Sequence, residues 1–340
     1  MDVVESIKGW GIFAVKMFSA GVVLMLGSLY MGQNHMLYHP CPPGMPKTPD
    51  DNPHGARSPE EYGLKSLDSF EERFVNTSDG KSIHVWKMYQ PDSNEAPTLV
   101  YFHGNAGNMG FRLQNAVQMY KKCKINVVMM DYRGFGKSTG EPTEEGIKLD
   151  AEAVLRDIQG DARLKGSAVV PFGRSLGGAV SIDMAATFNG EIAAVVVENT
   201  FLSISRMLDT LMPAISYKPL KALLLRIGWD SEVAIKGLKQ PIMFIAGARD
   251  ELVPHAHMIQ LHDLATASVH LDWFLVKNGS HNDSWVQAGT EYYVRLKAFM
   301  DRLRGGSSGG DNVGAEDDCE DDGKPNIALP TMGTDFRVTS

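Results

Sequence analysis

Cysteine is scarce: Cys41, Cys123 and Cys319 are the only three in 340 residues. Their number is odd, they lie far apart, and none falls in a Cys-x-x-Cys pair or at paired-histidine spacing. A disulfide framework and a metal site are therefore not expected, and Cys41–Cys123 is the one bridge left open. Basic charge is short as well. Formal net charge is −8, and residues 305–340 hold eight acids against Lys324 and Arg337, a net of −6 that leaves the other 304 residues at −2. Such a chain lacks the basic footprint that nucleic-acid phosphates require, so no nucleic-acid partner is expected. No internal repeat is present either. A packed core is not lacking: apolar residues make up 43% and charged residues 22%, which excludes disorder throughout.

One absence is local. From Met17 through Pro46 there is no charged residue at all. Residues 10–32, WGIFAVKMFSAGVVLMLGSLYMG, are long enough to cross a bilayer of roughly 30 Å hydrocarbon thickness as a helix. Lys16 can extend its ammonium to the interface, and Trp10 and Tyr30 stand where interfacial anchors belong. The small residues of a signal-peptidase site are poorly matched at Ser28–Gly32, so an uncleaved signal anchor is expected. Lys8 and Lys16 precede the apolar stretch and the next basic residue is Lys47. That bias leaves residues 1–9 in the cytosol and the bulk of the chain lumenal or extracellular, a single-pass type II membrane protein.

Seven prolines between 39 and 63 and no apolar period give residues 33–63 the character of an extended linker. The stretch 305–340 starts with GGSSGG and continues acidic, the composition of a disordered tail. Between them, residues 64–304 alternate β-rich runs with helical patterns. Phe70–Val75 and Ile83–Met88 flank a turn at Asn76–Gly80. Further strands are expected at 98–102, 126–132, 168–173, 193–199, 241–247 and 271–276, with helices at Glu144–Gln159 and Gly177–Phe188 among the gaps. Nearly continuous Val/Ile/Met runs separated by helices specify an α/β class with a mostly parallel sheet covered on both faces. Chemistry in such sheets sits at the carboxyl ends of strands.

Gly173-Arg174-Ser175-Leu176-Gly177 lies directly after one such strand and before an Ala-rich helix. Gly-x-Ser-x-Gly in that context is a nucleophile elbow, with Gly173 and Gly177 keeping the tight turn free of clashes. A serine hydroxyl is a weak nucleophile and needs a base, which in turn needs an orienting acid. Asp250 and His281 follow later strands in the order this architecture uses. Glu198 and Asp283 are rival acids; Asp283 is too near His281 in sequence to reach round its ring. His255, His257, His262 and His270 are expected at the surface. The loop His103-Gly104-Asn105-Ala106-Gly107-Asn108 offers an oxyanion donor at the Asn105 N–H, to act with that of Leu176. Gly134–Ser138 ends like a phosphate-binding P-loop, but the required earlier glycine is Asp131; Asp131, Tyr132 and Arg133 are read as bracing the loop beneath the site.

The motifs YFHGNAGN (101–108), DYRGFGKS (131–138), FGRSLGG (172–178), VENTFLSI (197–204) and GSHNDSW (279–285) together resemble the α/β-hydrolase superfamily, and within it the single-pass membrane serine hydrolases. The resemblance covers roughly residues 70–300. It implies an α/β-hydrolase fold with a short lid, a Ser175–Asp250–His281 charge relay and no cofactor. It agrees with the residue-level reading of a serine hydrolase cleaving an ester, thioester or amide. A catalytically inactive membrane scaffold is the competing class, although no triad member is missing. A cytosol-facing depalmitoylase is a further alternative, but no N-terminal cysteine cluster is present. Residues 201–239 form the expected lid. Leu202, Met207, Leu208, Leu211, Met212, Ile215, Leu220, Leu223, Leu224, Leu225 and Ile227 there suit an acyl or lipid pocket. Lumenal placement would expose the sequons at Asn76, Asn278 and Asn282 to glycosylation. Asn278 and Asn282 flank His281. Asn76, at a hairpin expected far from the active end, is the candidate acceptor.

Overall fold

A computed structural model describes residues 3–211 and 216–304. The acidic tail with Cys319, and Met212 and Ile215 of the lid, lie outside the described residues. Eight strands form one sheet: β1 (Phe70–Asn76), β2 (Ser82–Met88), β3 (Thr98–Phe102), β4 (Asn126–Met130), β5 (Val169–Arg174), β6 (Val195–Glu198), β7 (Ile242–Gly247) and β8 (Leu271–Val276). Their order is β1-β2-β4-β3-β5-β6-β7-β8. The β1–β2 and β2–β4 pairs are antiparallel and all others parallel. Every residue of β3 through β7 is buried, as uninterrupted apolar runs require.

Alternate side chains feed two cores. Val100, Phe102, Val128 and Val197 point to one, where Leu155 of α3 (Glu144–Gly160), Ile182 of α4 (Leu176–Thr187) and Met258 of the helix Ala256–Leu264 cover them. Leu99, Tyr101, Val127 and Val196 point to the other, beneath Val117 of α2 (Leu113–Cys123) and Leu296 of the helix Thr290–Asp301. The helix starts are written locally. Thr143 caps α3 by accepting from the Gly146 N–H at 3.0 Å, and Glu144 and Glu145 place negative charge in its first turn. Cys123 is a buried free thiol and Cys41 an exposed one, so the open Cys41–Cys123 bridge is not formed.

The apolar N-terminal stretch is a single helix, α1 (Val3–Leu37), longer than the expected 10–32. An 18-residue window within its 10–37 segment has mean hydropathy 2.0 and no buried residue, so the helix is long and apolar enough to cross a membrane.

Two expectations are corrected here. The proline-rich stretch is no free linker. Tyr38 and Asn52 are buried. The His39 N–H donates to the Asn105 carbonyl at 2.8 Å and the Gly107 N–H to the His39 carbonyl at 3.0 Å. Asn108 donates to the carbonyls of Pro46 and Lys47 and pairs with Asn52. Proline removes N–H donors, so this strap is held by side-chain amides and two short helical turns (Pro49–Asp51, Pro59–Tyr62) instead of a ladder. That is why it carries no periodic signal. The second correction concerns Asn76. It is exposed, but Ser82–Val85 runs beside the carboxyl end of β4, so the β1–β2 turn lies on the same sheet edge as the elbow. Three strands, β2, β4 and β3, separate β1 from β5.

Candidate active site

Ser175 stands between β5 and α4 with φ 56° and ψ −120°, a conformation non-glycine residues rarely hold without support. Support comes from β6: the Ser175 N–H donates to the Glu198 carbonyl at 3.0 Å, and the Thr200 hydroxyl donates to the Ser175 carbonyl at 2.7 Å. A Cβ at Gly173 would lie 1.9 Å from the Gly177 carbonyl oxygen, and one at Gly177 would lie 2.0 Å from the Phe102 carbonyl oxygen. Only glycine fits at either place.

His281 and Asp250 meet across the ends of β8 and β7. His281 Nδ1 lies 2.8 Å from Asp250 Oδ2. The other carboxylate oxygen accepts the N–H groups of Leu252 and Val253 at 2.9 and 2.8 Å, so the acid is fixed in orientation. Both members of the pair are almost entirely buried. The rival acids are engaged elsewhere. Glu198 takes Arg174 Nε at 2.9 Å and the Tyr292 hydroxyl at 2.7 Å, fully buried under the elbow. Asp283 accepts the Ser280 N–H at 2.6 Å and turns the loop before His281.

Ser175 and His281 line one cavity of about 380 Å³ together with Gly104, Asn105 and Leu176. Among the described residues, the Leu176 and Asn105 N–H groups donate to no protein acceptor. The loop carrying Asn105 is held from both sides. Its side-chain amide donates to the Leu37 carbonyl at 2.8 Å, and the Tyr132 hydroxyl donates to the His103 carbonyl at 2.7 Å. Asp131 accepts the Met109 N–H at 2.7 Å, and Arg133 is locked by Asp150 and Asp79. Asp131 and Tyr132 thus brace the loop as expected, whereas Arg133 ties the β1–β2 turn to α3 instead. Burial pushes His103 down to about 4, so its ring is neutral at neutral pH.

The far wall of the cavity is apolar. Met207, Leu208 and Leu211 of α5 (Ile204–Leu211), with Leu225 and Ile227, come from the expected lid; Leu202 is instead part of the core and Leu223 faces solvent. Leu224 is outside the lining too, and the Leu220 side chain lies outside the described residues. Phe201, Ile204, Leu252 and Val253 complete the wall, and so do Gln33, Met36 and Leu37 from the end of α1. That helix end is clasped to the lid. The Gln33 side chain donates to the Leu224 carbonyl at 2.7 Å and accepts the Arg226 N–H at 2.9 Å. Trp229 Nε1 donates to the Tyr38 hydroxyl at 2.9 Å.

Two residues carry positioning roles that motif reading did not assign. Asn199, at φ 47°, donates from its amide to the carbonyls of Ser280 and His281 and accepts the Gly247 N–H at 2.7 Å. One side chain therefore ties the histidine loop to the strand bearing the acid; its place in VENTFLSI was the available signal. His257 is buried rather than at the surface. Its Nδ1 accepts the Leu202 N–H at 3.2 Å, which places any ring proton on Nε2, and burial lowers its pKa. His270 is exposed, as expected, while His255 and His262 are half-buried.

An elbow serine, a paired histidine and acid, and unpaired backbone donors at the carboxyl edge of this sheet are the attributes of a hydrolase class. Known proteins agree. A serine aminopeptidase (S33) family model matches residues 93–234. Alpha/beta hydrolase domain-containing protein WAV2 of Arabidopsis thaliana is 34% identical over 293 residues, covering 83% of this chain and 91% of the relative. YNL320W of Saccharomyces cerevisiae, described as an uncharacterized membrane protein, is 30% identical over 291 residues, 84% of this chain and 96% of its own. The Pyrococcus furiosus esterase Pf2001 superposes with a TM-score of 0.59 at 19% identity, over 73% of this chain and 96% of that one, a likeness of fold. The chain belongs to the α/β-hydrolase family.

Proposed function

We propose that this protein is a membrane-anchored serine hydrolase that cleaves an acyl ester, thioester or amide through an acyl-enzyme on Ser175. The reading rests above all on the 2.8 Å pairing of His281 Nδ1 with Asp250 in the cavity that also holds the strained elbow serine. Asp250 fixes the imidazole tautomer and stabilises its cation. His281 Nε2 takes the Ser175 proton as Oγ bonds to the acyl carbon, then returns it to the leaving group as that bond breaks. The N–H groups of Leu176 and Asn105 receive the oxyanion, each worth about 10²–10³ in rate. Water then attacks the acyl-enzyme with His281 as base and releases the acid.

The substrate in this reading is amphiphilic and drawn from the bilayer. A 35-residue helix is roughly 50 Å long at 1.5 Å per residue, against roughly 30 Å of hydrocarbon. Its last turns therefore leave the membrane and form a wall of the cavity, which sets the cavity against the bilayer surface. Lys8 and Lys16 orient the N-terminus to the cytosol and the catalytic domain to the lumen or exterior, and exposed Asn76 is the glycan acceptor.

A fluorophosphonate probe applied to native membranes tests the reaction. Wild type should label and Ser175→Ala should not; an unlabelled wild type, or labelling that survives Ser175→Ala, sinks the assignment. Protease digestion of intact microsomes tests sidedness. Protection of the catalytic domain, with faster gel migration of Asn76→Gln, is expected, and digestion without detergent contradicts it.

A further inference from the structure

The chemical end of the cavity holds two guanidinium groups whose situations differ. Arg174 has an electrostatic partner: its Nε meets Glu198 at 2.9 Å and its Nη1 donates to the Asn282 carbonyl at 3.1 Å. Only its Nη2, buried, has no acceptor. Arg112 has none. It ends the helical turn Met109–Arg112 that follows the oxyanion loop, it is 9% exposed, and it lines the same cavity as Ser175. Yet its side chain makes no hydrogen bond or ion pair with any described residue. Glu198, the buried carboxylate of this region, is taken up by Arg174 and Tyr292.

A buried cation with five N–H donors and no acceptor is costly, and folded proteins pair such groups almost without exception. Burial and the neighbouring Arg174 charge both act against the cationic form of Arg112; a guanidinium nevertheless keeps its proton. Any acceptor for it has to enter through the cavity that it lines. A planar guanidinium matches the paired oxygens of a phosphate or carboxylate. The far wall of the cavity, from Met36 and Phe201 to Met207 and Leu225, is mostly hydrocarbon.

Given the serine-hydrolase reading above, we infer that Arg112 is an anion subsite and that the substrate is an acyl ester whose alcohol portion carries a phosphate or carboxylate. The hydrocarbon acyl chain lies under the lid along the end of α1, and the anionic alcohol occupies the polar end. Oγ of Ser175 bonds to the acyl carbon as the ester C–O bond breaks; the Oγ proton passes through His281 to the anionic alcohol. Water then frees the fatty acid. The net reaction is ester plus water to acid plus alcohol, with no co-reactant.

Competition against fluorophosphonate labelling of Ser175, on the full-length protein in neutral detergent, tests the subsite. Octyl phosphate should halve the labelling rate at a concentration about tenfold or more below that required of octanol, the size of one charge-assisted contact. Octanoate reports whether a carboxylate serves as well. Inorganic phosphate should protect far less than octyl phosphate; equal protection by both would mark a free-anion site and overturn the amphiphile. Hydrolysis gives the second measurement. The ratio of kcat/KM for 1-octanoylglycerol 3-phosphate to that for 1-octanoylglycerol should exceed about ten in wild type. It should fall toward one in Arg112→Gln and only partly in Arg112→Lys, which keeps the charge and loses the fork. A wild type that labels normally but prefers neither octyl phosphate nor the phosphorylated ester removes the subsite and leaves the hydrolase. A wild type that does not label removes the hydrolase reading itself.

Discussion

The two halves of the active site are built from different kinds of sequence. One half is the carboxyl edge of the sheet, where Ser175, Asp250 and His281 sit at strand ends and a few fixed residues determine the geometry. The other half is the end of α1, the strap at 38–63 and the lid, where apolar bulk and side-chain amides serve. The first half follows local rules, since a strand–turn–helix can be tight only with glycine at 173 and 177. The second half exists only in tertiary contact: Gln33 meets Leu224 across 191 residues of chain. Catalytic edges are thus written in motifs and substrate walls in composition. An apolar helix long enough to cross a membrane can belong to the wall.

The largest effect should fall on the first half. Asp250→Asn should lower kcat by about 10⁴ with little change in Tm, because the ring of His281 loses its tautomer while the packing stays. Steady-state kinetics beside a melting curve separates the two effects. Glu198→Gln should do the opposite, lowering Tm by breaking the buried Arg174–Tyr292 cluster.

Removing the second half should cost somewhat less. The 64–304 fragment keeps the whole sheet but loses the bonds from Leu37 and His39 that hold the Asn105 loop. Its turnover of a short-chain nitrophenyl ester should fall by about 10²–10³, the worth of one oxyanion donor. Full activity in that fragment would show that α1 and the strap contribute nothing to the site.

The loop can also be probed by acid. His103 is held down to about 4 by burial, from 6.5, so between those values the unfolded chain binds a proton that the native chain refuses. Stability should therefore be level above pH 6.5 and fall by up to about 3 kcal/mol as pH drops to 4. In His103→Asn that part of the slope should vanish, as denaturant titrations at several pH values would measure.

A smaller effect is expected at the tie between strands. Asn199→Ala leaves the Gly247 N–H and two carbonyls of the histidine loop unpaired. A loss of about 1–3 kcal/mol in chemical denaturation is expected, with a lower kcat from the loosened His281.

The legibility of the molecule follows the same division. The parallel strands could be read because unbroken apolar runs have one stable use in a soluble domain, and the places of Ser175, Asp250 and His281 because each follows a strand end in a fixed order. Tyr38 and Asn52 could not be read as buried: prolines around them give no period, and their burial depends on a loop some 60 residues away. Asn199 lay within a recognised motif, but an asparagine at a strand end has no role until its three partners are assembled. His257 had no signal, since a histidine in a short helix is equally suited to the surface. Arg112 carried none either, because a missing partner shows only when the neighbours are known.

The central claim is that Ser175 is the nucleophile, activated by His281 and Asp250. Mass-spectrometric mapping of the fluorophosphonate adduct on the full-length, membrane-bound protein tests it most directly. The adduct should fall on the peptide containing Ser175 and be lost in His281→Ala that still melts cooperatively. An adduct on another residue, or none on folded wild type, would contradict it.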